Sequence, residues 1–113
     1  MISICIPIYN YDVRQLVEEL SKQLKQLEIA SEIILIDDCS TPDFKKINED
    51  VCSKFRYIKL NENIGRAKIR NLFLGYATFD FLLFLDCDSM VVHPDFISNY
   101  IQELIKEKHK VIC

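Results

Sequence analysis

Two apolar runs in this chain stop at paired carboxylates: Ile33-Ile34-Leu35-Ile36 ends in Asp37-Asp38, and Phe81-Leu82-Leu83-Phe84-Leu85 ends in Asp86-Cys87-Asp88. Continuous apolar runs of this length suit strands covered on both faces, as in a parallel sheet, and open parallel sheets bind ligands along the carboxyl edge of their strands. Four acids on one such edge repel one another unless a cation or a hydrogen-bonding ligand joins them. The pattern points to a metal-assisted site for an anionic ligand.

The rest of the chain alternates in the way such a sheet needs. Ile2 to Pro7 is an apolar, β-prone opening, and Pro7 followed by Tyr9-Asn10 marks where its pairing should stop. Val13, Leu16, Val17, Leu20, Leu24 and Leu27 recur at three- and four-residue steps, which predicts a long amphipathic helix crossing back over the sheet. A second strand is expected at about Glu32 to Ile36. Ser40-Thr41-Pro42-Asp43 then sets a capping hydroxyl, an N1 proline and an early acid in order for a short helix to about Cys52. Phe55 to Leu60 alternates as a third strand, and Asn61 to Gly65 reads as a loop. Ile69, Leu72, Phe73 and Tyr76 carry helical spacing into the fourth strand, Phe81 to Leu85. His93-Pro94-Asp95 opens a last helix with a broad apolar stripe, and Val111-Ile112-Cys113 begins a fifth strand. The expected class is α/β, an open and mostly parallel sheet with helices on both faces and right-handed crossovers. An apolar run starting at Val111 suggests that the chain is the front part of something longer.

The 113 residues fit one domain. Half are hydrophobic and 27% charged, which excludes a disordered chain. A net charge of −3 gives no broad attraction for nucleic acid or an acidic membrane surface, so a phosphate ligand would need local positive charge. The run Phe81 to Leu85 is far too short to cross a bilayer, and no secretory signal opens the chain. Cys5, Cys39, Cys52, Cys87 and Cys113 are odd in number and contain no Cys-x-x-Cys pair, which favours free thiols in a reducing cytoplasm.

The chemistry at the edge follows from residue type. Alternate side chains of an Asp-x-Asp at a strand end face the same way, so Asp86 and Asp88 are candidates to act on one cation, and oxygen-only ligands favour magnesium or manganese. Either ion leaves positions open for diphosphate oxygens. Asp37 or Asp38 offers acceptors to a nucleobase N–H or a ribose hydroxyl, and alternation lets only one of them face the ligand. The other suits the N-terminus of the following helix. Tyr9 is placed to lie along a base, or simply to pack. Arg66, Lys68 and Arg70 follow Gly65 at a helix start, where free N–H groups also favour anions, and together they suit a diphosphate. One of them has an equally good partner in Asp37 or Asp86. His93 suits capping of its helix better than catalysis.

These residues resemble the nucleotide-sugar-binding half of family 2 glycosyltransferases, which have the Rossmann-like GT-A fold. Ser3 to Asn10 is similar to the family's opening strand, and Glu32 to Ser40 to its second strand with an Asp-Asp-x-Ser turn. Asn63-Ile64-Gly65, Arg70-Asn71, Ala77 and Asp86-Cys87-Asp88 resemble its Asn-x-Gly, Arg-Asn and Asp-x-Asp series. The resemblance implies a donor-binding subdomain over residues 1–113 that takes a UDP- or GDP-linked sugar with Mn2+ or Mg2+. It implies that Pro7, Ile8 and Tyr9 line the base pocket, that Asp38 or Asp37 holds the base, and that Asp86 faces the ribose and Asp88 the metal–diphosphate. Gly65, Arg66 and Arg70 complete the donor-binding set, with Asp88 and Asp86 as metal ligands. It further implies inverting transfer in polysaccharide, lipopolysaccharide or other glycan synthesis, at a cytoplasmic location that includes the inner face of the membrane, onto a glycan or lipid-linked acceptor.

Cys39 departs from the pattern where glycine is common, Ile69 where alanine is usual and Phe73 where a small residue is frequent. The catalytic base and the acceptor-binding half have no counterpart among these residues, so transfer is expected of a longer parent and not of this segment alone. A response-regulator receiver and a haloacid-dehalogenase-type phosphatase are the rivals. The first wants its acidic pair after the first strand and a late lysine, and the second wants its Asp-x-Asp earlier with Gly-Thr following. Two glycines, Gly65 and Gly75, are too few for a dinucleotide or P-loop site.

Overall fold

The computed structural model describes residues 1–89, 93–107 and 111–112. They form β1 (Ile2–Ile8), α1 (Arg14–Leu27), β2 (Ser31–Asp37), α2 (Pro42–Cys52), β3 (Arg56–Lys59), α3 (Arg66–Tyr76), β4 (Phe81–Phe84), α4 (Phe96–Glu107) and β5 (Val111–Ile112). The five strands make one sheet in the order β3-β2-β1-β4-β5, and every pairing is parallel. The expected fifth strand thus forms at Val111 and Ile112, while Cys113 lies outside the described residues.

Side-chain alternation on the central strand divides the core in two. Ile2, Ile4, Ile6 and Ile8 point to one face, where they meet Leu16, Val17, Leu20 and Leu24 of α1, Cys52 of α2, and Ile97, Ile101 and Leu104 of α4. Cys5 points to the other, where it joins Ile34 and Ile36 of β2, Leu82 of β4, and Ile69 and Phe73 of α3. The ring of Phe73 stands edge-on to Phe84, with centroids 5.9 Å apart. Both faces of β2 are therefore apolar, which explains its unbroken Ile-Ile-Leu-Ile run.

Strand ends differ from expectation where backbone hydrogen bonds decide them. The β1–β4 ladder closes with Leu85 N–H donating to Cys5 O at 3.0 Å. The next rung of a parallel ladder would need an N–H from Pro7, which has none, so β4 ends at Phe84 and not at Leu85. On its other side β1 stays paired through Ile8 and Asp37, one residue beyond the expected stop at Pro7. Proline ends the pairing on one flank only.

Helix ends also settle by means the sequence did not display. Thr41 is the N-cap of α2 with Pro42 and Asp43 behind it, but its hydroxyl makes no capping bond. The hydroxyl of Ser40 instead accepts the Asn10 N–H at 2.9 Å, and Asn10 Oδ1 accepts the Thr41 N–H at 2.8 Å. The buried amide of Gln23 on α1 bridges to α4: its Nε2 donates to His93 O and its Oε1 accepts the Ile97 N–H, both at 3.0 Å. His93 Nδ1 accepts the Asp95 N–H at 3.1 Å ahead of that helix.

At the amino edge of the sheet, Glu32 gathers donors from three elements. Its Oε2 accepts the Ser3 hydroxyl and the Thr78 N–H, each at 2.6 Å, while Oε1 faces the Thr78 hydroxyl at 3.3 Å and Arg56 at 3.4 Å. Burial pushes the Glu32 carboxyl up, but the bonds from Ser3, Thr78 and Arg56 together outweigh it and hold the group below its ordinary value of 4.5. A depressed folded-state pKa contributes stability that is complete above the unfolded value and is lost as pH falls through the folded one. Stability is therefore expected to decline as pH is lowered from about 6 to 3, and Glu32→Gln to flatten that decline while lowering stability at pH 7. Urea midpoints measured across that range for both proteins check it; parallel curves would refute the assignment.

Candidate functional site

The carboxyl edge of β1, β2 and β4 opens into a cavity of about 550 Å³, within the range of small-molecule sites. Pro7, Ile8 and Tyr9 leave β1 on one wall, Asp38, Asn63 and Gly65 form a second with Arg66 and Ile69, and Asp86, Cys87 and Asp88 form the third. Tyr11 closes the rim. Register explains the convergence: Ile8 pairs with Asp37, which sets Tyr9 beside Asp38, and Cys5 pairs with Phe84, which carries Asp86 and Asp88 up past Pro7.

Asp38 is both a wall and a brace. Only 5% exposed, it sits one residue past β2 and turns toward α3, where Oδ1 accepts the Ile64 N–H at 2.7 Å and Oδ2 the Gly65 N–H at 3.1 Å. Its carbonyl accepts Asn63 Nδ2 at 3.1 Å. A carboxylate has about four lone-pair sites, so acceptor capacity remains for a guest. Gly65, with φ +85°, takes the left-handed turn that swings the chain into α3.

Asp37 is not on the cavity. It belongs to β2, points to the α1 and α2 face and is fully buried, with Oδ2 accepting the Ser40 N–H at 2.8 Å. Alternation thus separates the pair: Asp38 toward the cavity, Asp37 onto the turn before α2. Cys39, between them and the helix, has φ +58°, a left-handed conformation that explains why glycine would suit this position.

Asp86 and Asp88 follow β4 in an exposed turn closed by the Ser89 N–H on Asp86 O at 3.0 Å. Arg66, the first residue of α3, brings Nη2 to 3.4 Å from Asp86 Oδ1. Arg70 does not line the cavity; its guanidinium lies 4.8 Å from the centroid of Phe84. Lys68 is exposed and also off the cavity. Burial pushes the Cys87 thiol up, against a hydrogen bond from the Tyr9 backbone, and the charges of Asp88 and Asp86 push it further, so it lines the cavity as a neutral group.

Among the described residues no three of His, Cys, Asp and Glu stand close enough to form a closed metal site. Two carboxylates on an open wall suit a hard cation that takes its remaining ligands from a bound anion and water, the habit of magnesium and manganese. Asp86 and Asp88 fit that group, and a structural zinc site does not fit them.

Four lining residues were not among the predicted contacts: Tyr11, Asn63, Ile69 and Cys87. Asn63 and Cys87 lie inside segments already singled out, so proximity along the chain would have found them. Tyr11 carried no signal, because its loop is held from a distance. The buried Asn48 of α2 accepts the Val13 N–H at 3.0 Å and donates to Tyr11 O at 2.7 Å.

A parallel α/β sheet with an acid-lined cavity at its carboxyl edge is the architecture of the open α/β ligand-binding domains. Within that class the chain belongs to glycosyl transferase family 2, whose model matches residues 3–113. This membership decides against the receiver and phosphatase alternatives. An uncharacterized glycosyltransferase of Haemophilus influenzae is 36% identical over 102 residues, covering 88% of this chain and 38% of its own length. The poly(ribitol-phosphate) beta-N-acetylglucosaminyltransferase TarS of Staphylococcus aureus is 33% identical over 95 residues, covering 79% of this chain and 16% of its own. Residues 1–349 of TarS in complex with UDP-GlcNAc superpose with a TM-score of 0.68 at 26% identity, covering 95% of this chain and 32% of that one. The mannosyltransferase PcManGT of Pyrobaculum calidifontis, solved with GDP-Man and Mn2+, gives a TM-score of 0.72 at 20% identity over 91% of this chain and 32% of its own, a likeness of fold. The chain spans well under half the length of each of these relatives. The GT-A architecture is the one the sequence implied. Among the described residues no helix is long and apolar enough to cross a membrane.

Two loop residues give direct tests. Asn48→Ala leaves the buried Val13 N–H without its acceptor and frees Tyr11, and should cost about 2 to 3 kcal/mol of stability in urea unfolding. Cys39→Gly removes a left-handed penalty of about 1 to 2 kcal/mol while adding about 0.5 to 1 kcal/mol of unfolded-state entropy. A net gain of about 0.5 to 1 kcal/mol is expected in the same assay, and a loss would show that the Cys39 side chain holds the turn.

Proposed function

We propose that this chain is the donor-binding part of a glycosyltransferase and that its cavity takes a nucleoside diphosphate sugar together with a divalent cation. One observation carries the reading: Asp38, Asp86, Asp88, Arg66 and Tyr9, scattered over 80 positions of sequence, line a single cavity. Membership of the family and the likeness to TarS bound to UDP-GlcNAc support it.

In this reading the base lies against Tyr9, which is 54% exposed and so has a free ring face, with Pro7 and Ile8 beneath and Asp38 accepting a base N–H through its remaining lone pairs. Asp88 and Asp86 hold the cation, and Asp86 also faces the ribose. Arg66 and the first N–H groups of α3 offer positive charge to the diphosphate. Arg70 and Asp37 act from behind the wall, one against Phe84 and the other on the turn after β2. A bound magnesium or manganese ion would supply neutralisation of charge on the leaving diphosphate. Residues 1–113 then form the donor subdomain of a longer protein, in which an acceptor-binding part supplies the catalytic base for inverting transfer to a glycan or lipid-linked acceptor. The free thiols of Cys5, Cys39, Cys52 and Cys87 support a reducing, cytoplasmic setting, the inner membrane face included.

Calorimetric titration with UDP and with GDP, each with and without Mn2+, tests the proposal. Binding of one nucleotide that requires Mn2+ and weakens by at least about tenfold in Asp88→Ala is expected. Metal-independent binding unaffected by that substitution would overturn it.

A further inference from the structure

We propose that Arg66 neutralises Asp86 before any ligand binds, gives up that carboxylate to the cation, and then turns to the diphosphate. The proposal rests on the donor-site reading and adds a coupling between its two ligands.

Three observations lead to it. Arg66 occupies the first position of α3, and the start of that helix is pinned by Asp38 through the Ile64 and Gly65 amides, so the guanidinium is launched from a fixed backbone. Its Nη2 stands 3.4 Å from Asp86 Oδ1, beyond ordinary hydrogen-bond length, and the two side chains are 76% and 57% exposed. An exposed pair of that geometry is weak and readily exchanged. Arg66 also lines the cavity shared by Asp86 and Asp88, so a guanidinium released from Asp86 remains on the wall beside them.

A cation held by Asp86 and Asp88 and a guanidinium on the same Asp86 oxygen would repel at close range, and one must give way. Because the cation carries two charges and engages both carboxylates, it displaces the single, solvent-screened guanidinium. The freed fork then suits a diphosphate, whose oxygens match its planar donors. The cation thereby prepares Arg66 for the anion, and the anion, by drawing Arg66 away, strengthens the hold of Asp86 on the cation. Such coupling is reciprocal. Arg66 also keeps Asp86 and Asp88 from confronting each other unneutralised before any ligand arrives.

The test separates metal from nucleotide. Mn2+ alone, followed by the electron paramagnetic resonance signal of the free ion, should bind Arg66→Ala about two- to fivefold more tightly than the unaltered protein, since its competitor is gone. In the presence of saturating Mn2+, the preferred nucleoside diphosphate should bind Arg66→Ala more weakly, and Arg66→Lys, which restores charge without the fork, should recover only part of that loss. Manganese affinity that is unchanged or reduced in Arg66→Ala overturns the exchange, and so does undiminished nucleotide affinity. Failure of the unaltered protein to bind any nucleoside diphosphate with Mn2+ is a different result and overturns the donor reading itself.

Discussion

The peptide nitrogen of Pro7 carries no hydrogen, and the arrangement of the carboxyl edge depends on that fact. A central strand in a parallel sheet is normally bonded on both flanks along its length. Here β1 stays bonded to β2 through Ile8, but the rung that would hold Leu85 and its successors to β1 has no donor. The chain leaves the sheet one side at a time. Asp86 to Ser89 can therefore turn away past Pro7 while Ile8 is still paired with Asp37, and the cavity lies between the residues that follow these strands.

Loops around such an opening would be mobile if each were held only by its own strand. They are instead tied to one another. Asn10 exchanges bonds with Ser40 and Thr41, Asp38 grips the amides ahead of α3, and Asn48 fastens the segment from Tyr11 to Val13. Each tie joins side-chain oxygens or amides to backbone groups that would otherwise lack partners, so the same contacts satisfy the helix starts and set the wall positions. These ties leave exposed side chains such as Arg66 and Tyr9 as the freer parts of the wall.

Much of this was legible in the sequence because it follows from period and from residue type. The Ile-Ile-Leu-Ile and Phe-Leu-Leu-Phe runs announced strands covered on both faces, and the steps of Leu16, Val17, Leu20 and Leu24 announced the helix that covers one of them. That only one of Asp37 and Asp38 would face the cavity followed from alternation, but which one it is depends on where β2 ends, and strand ends are set by partners. For the same reason Leu85 could not be excluded from β4 until its missing partner at Pro7 was known. Asn48 and Gln23 were silent because a polar residue in a helix reads as solvent-facing, and only long-range packing turns these two inward. The charge of Arg70 suits a diphosphate, yet its guanidinium lies over Phe84, a contact no linear spacing encodes.

The two edges of the sheet treat carboxylates in opposite ways. At the amino edge Glu32 is shielded and saturated by Ser3, Thr78 and Arg56, so its charge is spent on joining β1, β2 and the approach to β4. At the carboxyl edge Asp86 meets a solvent-exposed arginine at 3.4 Å, and Asp88 stands exposed on the same wall. Charges left in water cost little to keep, whereas gathering them under a ligand yields strong interactions once solvent is displaced. A net negative chain can accept an anion at that edge only if positive charge arrives with it or is already near. In the proposed reading Arg66 and the start of α3 are the resident share, and a cation on the pair of aspartates would be the rest.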